Sequence, residues 1–179
     1  MTLTGANDNL VDGSQTSTVT LSVVDGSSDD DFDGVADQTV SVTTTDSDVA
    51  GFTVIESGGT TTVPEDGSTT DDFTVVLDAQ PTSDVVLSIV SADIGEVTVS
   101  PATLTFTSGN WDSSQTVTVT GVDDSLIDGS QTTVVSIAVV DESSNDSFDS
   151  LLDQTVSVST ADDDTAGFTV SQTDGSSSV

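Results

Sequence analysis

The sequence predicts an all-β protein, an antiparallel sandwich built in tandem repeats. Three observations predict it. Apolar residues alternate with Thr and Ser at period two, the mark of half-buried strands. Clusters of Gly, Asp, Asn and Ser separate the alternating runs. The chain also repeats itself: an offset of 116 residues lays Gly5 on Gly121, Leu10 on Leu126, Asp12 on Asp128, Gly13 on Gly129 and Gln15 on Gln131 without a gap. No helical period is present.

The strands follow in order. "GFTV" from Gly51 supplies the first. "DFTVVLD" places Phe73, Val75 and Leu77 on one face, and "DVVLSIV" does the same for Val85, Leu87 and Ile89. "TLTF" contributes Leu104 and Phe106, and "QTVTVTG" alternates Val117 and Val119 with threonines. In "TTVVSIAVV" Val135, Ile137 and Val139 share a face with Val134 and Val140 behind them, which marks a central strand. "QTVSVST" closes the set with Val156 and Val158. About seven short strands in one 116-residue unit predict an immunoglobulin-like sandwich. Trp111, leading into a strand, is read as a lid on one end of the core. Phe32 and Phe148, in acidic loops, are read as hydrophobic plugs.

The repeat sets the organisation. Phe32 falls on Phe148, "DQTVSV" at Asp37 on the same string at Asp153, and "AGFTV" at Ala50 on Ala166. Pro64 through Thr116 occur only once. Residues 1–48 are therefore read as the C-terminal part of a preceding repeat and 49–164 as one complete repeat. Residues 165–179 are read as the first strand of a following one. Half a sandwich does not bury its own face. The expectation is a segment of a longer repetitive protein, or one whose ends neighbouring chains complete.

Composition narrows the function. Among 179 residues there are 32 acids and no Lys, Arg or His, so the formal net charge is -32. No side-chain salt bridge is possible. The acids must face water or share a dissolved cation. Twenty-eight of them are Asp and four are Glu: Glu56, Glu65, Glu96 and Glu142. Short carboxylates beside turns suit a hard cation such as Ca²⁺, which takes several oxygen ligands. They equally suit Asx-turns and a hydrated acidic shell. Nucleic acid is a poor partner for such charge. No apolar run is long enough to span a membrane. Without His, Cys, Lys, Arg or Tyr, the usual nucleophile–base pairs and oxyanion-stabilising cations are missing, so no enzyme is expected.

The acids cluster at strand ends. Asp123, Asp124 and Asp128 follow one strand, and Asp162, Asp163 and Asp164 follow the last. Glu65 precedes the second strand of the reading and Asp93 follows the third. In a sandwich, loops of this kind meet at one end. Clustered carboxylates repel and raise one another's pKa values, and a shared cation reverses this. A second candidate loop is "DDDFDG": Asp29, Asp31, Asp33 and Asp37 follow the spacing of an EF-hand-type loop, although Val40 stands where the bidentate Glu belongs.

The string "VSPATLTFTSGNW…QTVTVTGVDDSLIDG…ADDD" resembles the Calx-beta repeat of sodium–calcium exchangers and large bacterial surface proteins. The resemblance covers the complete unit and both partial ones. It implies a seven-stranded immunoglobulin-like sandwich with Ca²⁺ at one end. It also implies Glu65, Asp123, Asp124, the Leu126 carbonyl, Asp128 and the Asp162–Asp164 triplet as ligands, with Asp93 as a further loop ligand. The chain departs from the binding members at Gly129, Ser130 and Gln131, where theirs are acidic. In the first copy Asn7 replaces one Asp and Ser47 interrupts the triplet. The function expected is that of a structural module of an extracellular or cell-surface protein: an adhesin stalk, sheath or filament. Its partners are neighbouring repeats and other copies in a fibre. The rival expectation is a calcium-sensing or carbohydrate-binding accessory module.

Overall fold

The computed structural model describes residues 2–171. These residues form eleven β-strands and no α-helix. β1 (Gln15–Leu21) and β2 (Gln38–Thr44) pair with each other as an antiparallel hairpin. The remaining nine are β3 (Phe52–Glu56), β4 (Thr61–Pro64), β5 (Thr70–Leu77), β6 (Val85–Ser91), β7 (Val97–Ser100), β8 (Thr103–Phe106), β9 (Gln115–Gly121), β10 (Gln131–Val139) and β11 (Gln154–Ala161). They build two sheets, ordered β3-β5-β9-β7 and β4-β11-β10-β6-β8. β10 is interior to its sheet, between β11 and β6, as its two-sided apolar pattern requires.

Alternation becomes packing directly. Phe73, Val75, Leu77, Val117 and Val119 face inward from one sheet. Leu87, Ile89, Leu104, Phe106, Val135, Ile137, Val156 and Val158 meet them from the other. Each such side chain contributes about 1.5–3 kcal/mol by leaving water. Many outward positions carry Thr or Ser, while Thr61, Ser91, Thr133 and Thr160 turn inward. Trp111 packs, partly buried, against this core.

Nine strands occupy the unit where about seven were expected, because the chain adds two short strands, β4 and β7, as it passes between the sheets. After β3 it turns through Gly58 and Gly59, both at positive φ, and β4 joins the opposite sheet parallel to β11. Glycine meets that backbone demand without steric cost. Between β7 and β8 it crosses again at Pro101, whose missing N–H cannot serve a ladder. Both missed strands, β4 and β7, are four residues long and flank these crossings.

The hairpin β1–β2 repeats β10–β11 residue for residue. Gln15 pairs with Thr44 and Leu21 with Gln38; at the same offset Gln131 pairs with Thr160 and Ile137 with Gln154. Its surroundings differ. β10 and β11 lie within a sandwich, whereas β1 and β2 form a sheet of their own with mostly exposed side chains. This corrects one expectation. Phe148 is a plug, with 0% of its surface exposed, but its counterpart Phe32 is 58% exposed, because no second sheet of the described residues covers the hairpin.

Candidate metal centre

Three chain segments converge at one end of the sandwich, and a glycine permits it. At Gly121, the end of β9, a Cβ would overlap the Pro64 carbonyl. With no side chain there, the end of β4 lies directly against the end of β9. Glu65 follows at once. Its amide donates to the Ala161 carbonyl at 2.9 Å, tying it to β11. Its carboxylate oxygen Oε1 accepts the amide of Asp124 at 2.9 Å. Glu65 is thereby buried, the one buried carboxylate among the described residues.

Asp162 builds the loop. Its Oδ2 accepts the Gly129 amide at 2.7 Å and its Oδ1 accepts the Asp164 amide at 2.7 Å. These amides hold its pKa below the ordinary value. Gly129, at φ 74°, supplies the left-handed turn that aims its amide there. The side chain of Gln131 donates to the carbonyls of Asp128 and Gly129, closing the loop onto β10. Asp162 thus spends both oxygens on backbone amides, whereas Glu65 gives one oxygen to the Asp124 amide and Asp124 one to the Leu126 amide.

Glu65, Asp124 and Asp164 form a candidate cation site. One carboxylate oxygen from each lies within 4.8 Å of the other two. The Oδ2 atom of Asp164 is buried and meets no hydrogen-bond donor among the described residues. Its pKa is raised by burial, then by the charges of Asp162, Asp163, Asp123 and Asp124. At Glu65 the Asp124 amide lowers the pKa, but burial and the charges of Asp124, Asp162 and Glu96 together outweigh it and raise the value. Anionic oxygens have been drawn together here without a balancing cationic side chain.

The donor set fits Ca²⁺. All three ligands are hard carboxylate oxygens. Oxygens bound at about 2.3–2.6 Å on opposite sides of one ion lie roughly 5 Å apart, which spans the observed separations. His and Cys, the nitrogen and sulfur ligands that zinc prefers, are absent from the whole chain. Ca²⁺ takes six to eight oxygens, so main-chain carbonyls and water must complete its shell.

The other acidic candidates of the sequence lie outside this three-carboxylate group. Asp123 and Asp163 are exposed and add charge from outside, while Leu126 and Asp128 lie further along the same exposed loop. Asp93 accepts the Gly95 amide at 2.9 Å and lines an open pocket with Glu96 and Asp128. Glu96 was missed by sequence reasoning. Burial and the charges of Asp128, Asp93 and Asp124 raise its pKa, so it belongs to the same acidic end. The available signal was that Glu is scarce here, and two of the four glutamates face this end. The loop Asp29, Asp31, Asp33 and Asp37 forms no three-carboxylate group among the described residues. Asp29 instead accepts the Asp31 amide at 3.0 Å and caps a short 3-10 turn.

The first copy repeats the loop but not the group. Gly13 donates to Asp46 Oδ2 at 2.8 Å and Asp48 to Asp46 Oδ1 at 2.8 Å, matching Gly129 and Asp164 on Asp162. Gln15 caps the Asp12 and Gly13 carbonyls as Gln131 caps those of Asp128 and Gly129. Asp8 and Asp48 correspond to Asp124 and Asp164, but residues 1–48 hold no counterpart of Glu65.

No protein-family profile matches the chain. No curated protein matches it either. Among solved structures it is similar to domains 4 and 5 of the S-layer protein SbsC, at 20% identity over 83% of this chain and 58% of that one, with a TM-score of 0.46. It is similar to the apo-form Calx CBD1 domain at 15% identity over 63% of this chain and 98% of that one, with a TM-score of 0.40. The periplasmic chaperone SfaE matches at 8% identity over 63% of this chain and 57% of that one, with a TM-score of 0.45. The chain thus spans little more than half the length of the S-layer fragment and of the chaperone.

Proposed function

We propose that this chain is a Ca²⁺-stabilised structural repeat of Calx-beta type, part of an extracellular stalk, sheath or filament. One observation carries the reading: buried Glu65 meets Asp124 and Asp164 in a chain with no cationic side chain, and Asp164 keeps a buried oxygen without a donor. A carboxylate group of this kind is self-repelling unless a cation joins it. The 116-residue repeat and the matching hydrogen bonds of the two copies support the tandem part of the proposal.

The work of such a module is mechanical. Ca²⁺ would tie the ends of β4, β9 and β11 together and screen part of the charge along a row of sandwiches. The reading is non-catalytic, because the chain lacks the side chains that usually supply nucleophile–base pairs. Absence of Lys and Arg also leaves a trypsin-like protease nothing to cleave, which suits exposure outside a cell.

Melting with and without chelator tests this. At free Ca²⁺ about a hundredfold above its Kd, binding stabilises the fold by about 2.7 kcal/mol. For a chain of this length that is a rise of roughly 5–11 °C. An unchanged melting temperature on chelation sinks the calcium part of the proposal.

A further inference from the structure

The loop before β1 docks on the complete sandwich. Leu10 forms a parallel bridge with Gln80, in the turn between β5 and β6. The Val11 amide donates to the Gln80 carbonyl at 2.9 Å, and the Gln80 amide donates to the Asn9 carbonyl at 2.7 Å. The Val11 side chain packs, partly buried, against the sandwich core. The Gln80 side chain braces the turn by donating to the Ser108 carbonyl at 2.9 Å. A loop of one repeat is therefore hooked onto a turn of the next by a short main-chain bridge and one apolar side chain.

The same loop recurs 116 residues later, and none of the described residues covers it. Leu126 and Ile127 correspond to Leu10 and Val11, and they are 62% and 60% exposed. Their loop carries the same internal hydrogen bonds to its Asp and Gln as the first copy, so it has the same shape. Further along the chain, after β11, Phe168 and Val170 are exposed, whereas their counterparts Phe52 and Val54 pack in β3 of the complete unit. The segment after Asp164 thus opens a further unit in sequence, and the loop awaiting that unit is already formed.

We infer that Leu126 and Ile127 are the coupling element of the repeat, and that their occupant is the β5–β6 turn of the following sandwich. The docked pair at Val11 and Gln80 gives the expected contact. The Ile127 amide donates to the carbonyl corresponding to that of Gln80, and the Ile127 side chain covers the edge of the next core. Main-chain bridging of this kind tolerates sequence variation, while the apolar side chain fixes register. Every joint in the row then has the same geometry. The inference rests on the tandem reading above and is independent of calcium.

The test lengthens the full chain by inserting a second copy of residues 49–164 after Asp164, and follows amide hydrogen exchange. In the 179-residue protein the Val11 amide should exchange at least about tenfold more slowly than the Ile127 amide. In the lengthened protein Ile127 should slow to match Val11. Ile127→Asp should speed exchange in the turn it covers and leave the first joint protected. An Ile127 amide as fast in the lengthened protein as in the shorter one overturns the inference. Slowing that persists under chelation, with no calcium effect on melting, would discard the calcium proposal and leave the joint standing.

Discussion

The carboxylate of Glu65 accepts the backbone amide of Asp124 at 2.9 Å, joining the end of β4 to the loop after β9. This contact places a buried acid beside two others. It makes the electrostatics of one end of the sandwich measurable.

Glu65→Gln separates charge from shape. The amide oxygen still accepts from Asp124, but the repulsion with Asp124 and Asp164 is gone. In cation-free buffer the variant should melt a few degrees above the parent, and its gain in melting temperature on adding Ca²⁺ should vanish. Equal Ca²⁺ responses in variant and parent, followed by differential scanning calorimetry, would remove Glu65 from the site.

The pH dependence has a definite sign. Glu65, Glu96 and Asp164 have raised pKa values in the folded protein, so the fold binds protons more readily than the unfolded chain. Their repulsion is fully present above the folded values. It is relieved as pH falls towards the unfolded value of about 4. Asp46, Asp66, Asp71 and Asp162 are lowered, so their contribution is present above the unfolded value and lost as pH falls through the folded one. The cation-free melting temperature should therefore rise on mild acidification from neutral pH and fall again in stronger acid. With saturating Ca²⁺ the first limb should reverse, because protons compete with the ion. A cation-free melting temperature that falls steadily from neutral pH downward contradicts this.

Gly121→Ala probes the close approach that makes the site. Its Cβ would overlap the Pro64 carbonyl, so the backbone leading into Glu65 must shift. We expect a loss of about 1–3 kcal/mol, as for other overpacked positions, together with weaker Ca²⁺ binding. A chemical denaturation series with and without Ca²⁺ reads both. Parent-like stability would mean that the two backbones are not held this close.

Phe148→Ala and Phe32→Ala form a matched pair, the same residue in the same repeated loop. Truncating buried Phe148 should cost about 3–5 kcal/mol. Truncating exposed Phe32 should cost under about 0.5 kcal/mol. Similar losses for both, measured by urea unfolding, would mean that the β1–β2 hairpin is covered in solution.

Much of the fold was legible because period-two alternation is a direct image of burial. Phe73, Val75 and Leu77 point inward wherever the neighbouring strands lie. The sheet crossings were not legible, since the turn chemistry of Gly58, Gly59 and Pro101 does not say which sheet receives the chain. At the candidate site the repeat pointed to the loops that carry Asp124, Asp162 and Asp164. It did not say which carboxylates turn inward. Asp162 and Asp164 do and Asp163 does not, by the alternation of the chain leaving β11; the backbone amides then consume Asp162. Glu96 escaped notice because only the pairing of β7 with β9 carries it to that end.

The most direct measurement is calorimetric titration of Ca²⁺ into cation-free protein, parent beside Asp164→Asn. Asp164 supplies the buried oxygen that lacks a donor, so the substitution removes ligand charge and leaves the loop built by Asp162 in place. We expect saturable binding to the parent and affinity lowered at least about tenfold in the variant, the scale of one lost ligand interaction. Identical isotherms for the two proteins, or no heat of binding to either, would contradict a Ca²⁺ site at Glu65, Asp124 and Asp164.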